Sequence, residues 1–175
     1  MSNTIVLYTS KYGATKKYAE WLSQALSCDS METRHADAAK LLQYDRIVLG
    51  GGIYAGGIAG FSFLKKNYGK LQDKKIIVFA VGASPYDEKA MQVLRARHFQ
   101  GALAEIPCCY CRGAWNEDAL SLPDRMLCAM LKKAVAKKDP ADCEPWEAAL
   151  MQTMGSNVDW TDKESLTPVI EALQG

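Results

Sequence analysis

Three short stretches of this 175-residue chain carry the residue types that could do chemistry. The first is Ser10-Lys11-Tyr12-Gly13-Ala14-Thr15, which follows the apolar run TIVLYT and opens a helical pattern. A helix amino terminus presents unpaired N–H groups and a partial positive charge, so it attracts an anion. Ser10 and Thr15 add hydroxyl donors, and Gly13 lets the backbone come close to a ligand. A simple capped turn would need only one such hydroxyl. The dinucleotide fingerprint G-x-G-x-x-G and the Walker pattern G-x-x-x-x-G-K are both absent after this first apolar run. A terminal monophosphate suits the residue types best.

The second stretch is GGGIYAGGIAG, residues 50–60, with six glycines in eleven positions. Such a run is entropically costly to order, which makes sense if the backbone lies against a flat ligand or changes conformation. Ile53 and Tyr54 at its centre could cover a ring, with Ala55 and Gly56 beside them. The third is GASPYD, residues 82–87, where Gly82, Ala83 and Ser84 are small and Tyr86 could stack on a ring before Asp87. Alone, it reads equally as a proline turn with an exposed tyrosine.

Other reactive residues point elsewhere. Cys108 and Cys111 form a CxxC, but IPCCYCR reads as a strand, where alternate side chains face opposite ways. The six cysteines are therefore expected to be reduced and mainly structural, and no metal site is expected. His35 and His98 are the only histidines and read as structural or surface residues. No catalytic acid or base stands out.

The elements that must position these stretches alternate. Strands are expected at 4–9, 31–36, 46–51, 75–81 and 106–112, with helices from Ala14, around 38–42, from Phe61 and over EKAMQVLRARHF. The continuous apolar runs are those of parallel strands buried on both faces. An α/β domain follows: a doubly wound, five-stranded parallel sheet of order 2-1-3-4-5, with its ligand site at the carboxyl ends of the strands. About fifty residues then separate the fifth strand from a final helix at 164–173, for which Thr161 and Glu164 give a capping-box signal. We read 1–175 as one domain with a helical insertion at about 113–160. The insertion contains a helix over 122–138, whose stripe Leu122, Met126, Leu127, Met130, Leu131, Ala134 and Val135 is expected to pack on the domain.

The net charge is +1, which gives no case for nucleic acid. The longest strictly apolar run, Ile76–Val81, is far short of a membrane span, and the first residues lack a signal-peptide pattern. A cytoplasmic protein is expected.

Phosphate corner, glycine-rich stretch and small-residue loop together resemble the flavodoxin family over residues 4–112. The family's phosphate pattern, small hydroxyl, any, Thr, Gly, any, Thr, meets Ser10 to Thr15, with Tyr12 in place of a hydroxyl residue. The resemblance implies FMN as cofactor. Ser10, Lys11, Tyr12, Gly13, Ala14 and Thr15 would lie on its phosphate, Ile53, Tyr54, Ala55 and Gly56 on one face of its ring, and Gly82, Ala83, Ser84, Tyr86 and Asp87 on the pyrimidine edge or the other face. YDRIVLGGGIYAGGIAGFSFLKKN, with LPDRMLCAMLKKAVAKK and VDWTD far behind it, also resembles the flavodoxin-fold protoporphyrinogen oxidase family. That likeness implies a porphyrinogen substrate and a quinone acceptor. An electron carrier meeting a redox partner protein is the first expectation, such an oxidoreductase the second, and a cofactor-free interaction module the third. Peripheral membrane contact through the lysines of the insertion is a further option.

Overall fold

The computed structural model describes residues 3–175; Met1 and Ser2 lie outside the described residues. Five parallel strands form the main sheet: β1 (Thr4–Thr9), β2 (Asp29–Glu32), β3 (Arg46–Tyr54), β5 (Lys75–Gly82) and β6 (Cys108–Arg112). They lie in the order β2-β1-β3-β5-β6. This is the expected 2-1-3-4-5 arrangement, renumbered because a two-residue antiparallel strand, β4 (Gly57–Ile58), turns back on β3. The register aligns Leu7 with Leu49, Leu49 with Val78, and Val78 with Cys108.

The buried strands alternate their side chains between two layers. Ile5, Leu7, Ile47, Leu49 and Val78 face a core closed by α2 (Ala38–Leu41), α3 (Phe61–Leu71) and α4 (Glu88–His98). Val6, Val48, Ile77 and Phe79 face a second core closed by α1 (Ala14–Leu26) and the final helix α7 (Thr167–Gln174). Cys108 packs against the first core and Cys111 belongs to the second, the opposite facing expected of them. All six cysteines are free, and burial pushes the thiols of Cys108 and Cys111 up to about 12, which keeps them protonated and unreactive.

Several boundaries differ from expectation, each for a local reason. The second strand occupies 29–32, not 31–36, because Thr33–His35 tighten into a 3-10 turn before α2. The third strand runs on to Tyr54, so most of the glycine-rich stretch is sheet rather than loop. A Cβ on Gly50 would lie 2.1 Å from the Phe79 ring, and one on Gly51 would lie 2.1 Å from the Ala59 carbonyl oxygen. These glycines let neighbouring strand and hairpin close on one another. The final helix begins at Thr167, after a 3-10 turn over Lys163–Leu166. Asp162 caps that turn by accepting from the Glu164 N–H at 3.0 Å, while the Thr161 hydroxyl donates to Asp159. The expected Thr161–Glu164 box does not form.

Between β6 and that turn, β7 (Ala114–Asn116) and β8 (Asn157–Asp159) make an antiparallel ribbon that brackets α5 (Leu122–Val135) and α6 (Pro145–Thr153). Lys17 of α1 fastens the ribbon through Asp159 at 2.7 Å and Thr161 at 2.8 Å. Lys138 bonds the buried Glu147 at 2.6 Å, joining the two insertion helices. Val135 of the α5 stripe is buried, but Leu122, Met126, Leu127 and Met130 are exposed. The stripe does not pack on the domain as expected, because α1–α4 and α7 already close both sheet faces. Among the described residues, no helix is long and apolar enough to cross a membrane.

Candidate functional site

The turn after β1 is built on Gly13, the amino-terminal cap of α1, held in the left-handed region at φ 99. Its Gly is required by conformation, since a Cβ there would meet nothing within 4 Å. The Ser10 hydroxyl accepts from the Gly13 N–H at 3.1 Å, which folds the turn back on itself. The first helical bond is donated by Lys17 to Gly13. Among the described residues, the N–H groups of Tyr12, Ala14, Thr15 and Lys16 meet no protein acceptor. Open space above Gly13 and four unpaired donors beside it make a positively polarised corner. Thr15 is buried at its base.

Lys11 and Tyr12 lean the other way. The Lys11 ammonium donates to Asp124 of α5 at 2.5 Å, and the Tyr12 hydroxyl also donates to that carboxylate. The Ser121 N–H donates to the Tyr12 hydroxyl at 3.2 Å. Lys11 holds the Asp124 carboxyl below its ordinary range, with Tyr12 helping, and Asp124 in turn raises Lys11. Asp124 and Ser121 are the members of this corner that sequence reasoning missed. The signal was there: Ser121, with a proline and an acidic residue inside the next three positions, is a helix-start pattern. It opens α5, and the Ser121 hydroxyl accepts from the Asp124 N–H.

The glycine-rich stretch is a pinned hairpin. Ala55 and Gly56 both have positive φ, as a tight two-residue turn between β3 and β4 demands. Arg97 donates to the Ala55 carbonyl at 3.3 Å, and the His98 ring meets the Gly56 carbonyl at 3.0 Å. Both come from the last turn of α4. Asp87 caps the opposite end of that helix by accepting from the Ala90 N–H at 2.6 Å. Eleven helical residues separate these ends by about 15 Å. The hairpin tip and Asp87 thus contact opposite ends of α4. Ile53 lies in the sheet paired with Ile58, and packs on the first core. Tyr54 remains near the corner: burial raises its hydroxyl pKa, with Tyr12 adding to the rise and Lys11 opposing it. Its ring covers Gly52.

The third stretch is anchored from below. Gly113 N–H donates to the Gly82 carbonyl at 2.7 Å, Arg112 to the Ala83 carbonyl at 3.3 Å, and the Tyr110 hydroxyl to the Ser84 carbonyl. A Cβ on Gly113 would come within 3.4 Å of the Ala14 Cβ, so the base of this stretch adjoins the start of α1. Tyr86 stands exposed, edge-on to Tyr110 at 6.0 Å. The corner therefore has Tyr54 near it, and the base of the third stretch adjoins the helix that it opens. Ala55, Gly56 and Asp87 have structural work of their own.

A doubly wound parallel sheet with an anion-attracting corner after its first strand defines a class of ligand-binding α/β proteins. Within that class, the family model described as flavodoxin domain matches residues 5–142, and the chain belongs to that family. No curated protein sequence matches the chain. Among solved structures it is similar to a flavoprotein in complex with FMN from Lactobacillus acidophilus NCFM, at 20% identity and a TM-score of 0.42 over 64% of this chain and 93% of that one. It is similar to two-electron reduced flavodoxin of Megasphaera elsdenii, at 17% identity and a TM-score of 0.46 over 61% and 82%. The Trp repressor binding protein of Bacillus subtilis gives 17% identity and a TM-score of 0.47 over 63% and 85%.

Proposed function

We propose that the chain binds FMN and acts in electron transfer. The observation that carries this reading is the corner at α1: four N–H groups without protein acceptors, open space at Gly13 and the buried Thr15. These residues fit a phosphate monoester. Tyr54 and Tyr86, both exposed, are aromatic surfaces available to a ring. The flavin would supply the one- and two-electron chemistry. The chain's part is to bind the phosphate, orient the ring and set the charge around it. The free cysteines suit a reducing, cytoplasmic setting.

The test is a comparison of ligands. FMN should quench its own fluorescence on binding, and riboflavin, lacking the phosphate, should bind far more weakly. Hydrogen bonds to a charged group are worth roughly 1.5–3 kcal/mol, so Thr15→Ala should weaken FMN affinity about ten- to a hundredfold with little change in folding. Riboflavin binding as tightly as FMN, in wild type and variant alike, would overturn the placement of the phosphate.

One observation favours a second reading, an FMN-dependent oxidoreductase of the protoporphyrinogen oxidase type with a quinone acceptor. The exposed Leu122, Met126, Leu127 and Met130 belong to the helix whose first turn bonds Lys11 and Tyr12. That is an apolar face next to the corner, suited to an apolar reactant or a membrane surface. Anaerobic reduction of the flavin-loaded protein, followed by addition of a quinone or of a redox partner protein, separates the two readings by which one reoxidises it.

A further inference from the structure

Thr9, the last residue of β1, stands between two helix starts. The α1 corner lies on one side of it. On the other, an open cleft of about 610 Å³ lies at the amino terminus of α3. That volume is in the range of small-molecule sites, about 300–1,000 Å³. Nothing in the reading above uses this cleft.

Its floor is made of donors that lack partners. Gly60 caps the eleven-residue α3 with φ 82 and without a side-chain cap bond. Among the described residues, the N–H groups of Phe61 and Ser62 meet no protein acceptor. Thr33 lines the same cleft, is 4% exposed, and its hydroxyl has no hydrogen-bond partner. A Cβ on Gly60 would lie 2.5 Å from the Thr9 hydroxyl oxygen and 3.4 Å from that of Thr33. Only glycine lets those two hydroxyls close on the helix start. A buried hydroxyl without a partner is costly, and its location at a helix amino terminus points to an anionic acceptor.

The charges agree. Lys66 and Lys70 lie one turn apart on α3 and line the cleft, and neither ion-pairs with a carboxylate among the described residues. Arg34 also lines it, paired with Glu32 at 2.5 Å. Asp37 opposes them, but its carboxylate is engaged by the Ala39 N–H at 3.0 Å. Cations prevail.

We propose that this cleft binds the phosphoryl group of a nucleotide-sized molecule. Its phosphate sits at the α3 start on the Ser62 N–H group, takes the Thr33 hydroxyl as a donor and faces the Lys66 and Lys70 ammonium groups. The assignment is independent of the flavin reading, because the two corners report on different amides.

The experiment is a titration of isotope-labelled protein with inorganic phosphate and, separately, with AMP, followed by amide chemical shifts. Chloride holds the ionic strength constant. The Phe61 and Ser62 amides should shift and saturate, and AMP should bind more tightly than phosphate. Thr33→Val should weaken AMP roughly tenfold or more, as loss of a bond to a charged acceptor does. It removes an unpaired buried hydroxyl, so the free variant should unfold at the same temperature as wild type or higher, and remains readable. The double change K66Q/K70Q should also weaken AMP. Shifts confined to residues 12–15, AMP binding no tighter than phosphate, or unchanged affinity in Thr33→Val would each overturn the proposal.

Discussion

Helices α1 and α5 carry the same kind of pattern and meet opposite fates. In α1, Tyr18, Ala19 and Leu22 recur at helical spacing and are each 0% exposed. In α5, Leu122, Met126 and Met130 also recur at helical spacing and are 70%, 60% and 67% exposed. Patterning alone does not separate them. What separates them is the sheet: α1 follows β1 directly and lies on the face that Val6, Val48 and Phe79 fill, beside α7. In the folded chain α1 and α7 close that face between them, and no residue of α5 belongs to its core. An apolar stripe says that a helix has a side to cover, and the topology decides whether the chain itself covers it. Lys11 and Tyr12, in the turn before α1, bond to Asp124 of α5.

The largest test of this contrast is Leu22→Ala. The side chain is fully buried between α1 and the sheet, so its removal should cost about 2–5 kcal/mol in urea-induced unfolding. A loss under about 1 kcal/mol would mean that the α1 face is not the packed surface described. Gly50→Ala should come next. Its Cβ would press on the Phe79 ring in the same core, and overpacking of this kind costs about 1–3 kcal/mol. A neutral result would return Gly50 to the role of a flexible, ligand-facing glycine.

That second substitution bears on what the sequence made legible. The sheet order, most of the helices and the turn that opens α1 at Ala14 could be read, because continuous apolar runs and helical periodicity are local signals. The glycines at 50–52 could not be read correctly. Their reason is a contact with Phe79 and Ala59, which depends on folding. Thr161 and Glu164 had the spacing of a capping box, yet Asp162 took the capping role and Thr161 turned to Asp159. Lys11 could be assigned to the corner, but not its Asp124 partner, 113 residues away. The hairpin at Ala55 and Gly56 was illegible for the same reason: Arg97 and His98 pin its tip from a distant helix end.

A smaller effect should appear with pH where the ribbon of the insertion meets α1. Lys17, with Thr161, lowers the Asp159 carboxyl to about 2. A carboxyl depressed in the folded state contributes stability above its unfolded pKa of roughly 3.9, and that contribution disappears as pH falls through about 2. The pair is half-exposed, so solvent screening limits it to under about 1 kcal/mol. Asp159→Asn should therefore lower stability slightly at pH 7 and flatten the acid limb below pH 4. An identical acid limb in wild type and variant would show that Lys17 does not fasten the ribbon.

The smallest effect, and the sharpest for the contrast, is expected on the other helix. Met126 and Met130 are mostly exposed in α5, so M126Q/M130Q should change unfolding stability by no more than about 0.5 kcal/mol. The outcome has weight because Gln keeps the unbranched shape and helix propensity of Met while removing its apolar character. If the stripe were folded against the domain, two polar amides would enter a core without partners, at a cost of about 1–3 kcal/mol each. Stability loss on that scale would place α5 beside α1 as an ordinary core helix. Unchanged stability leaves the stripe free of the domain, and whatever covers it must then come from outside the core built by α1–α4 and α7.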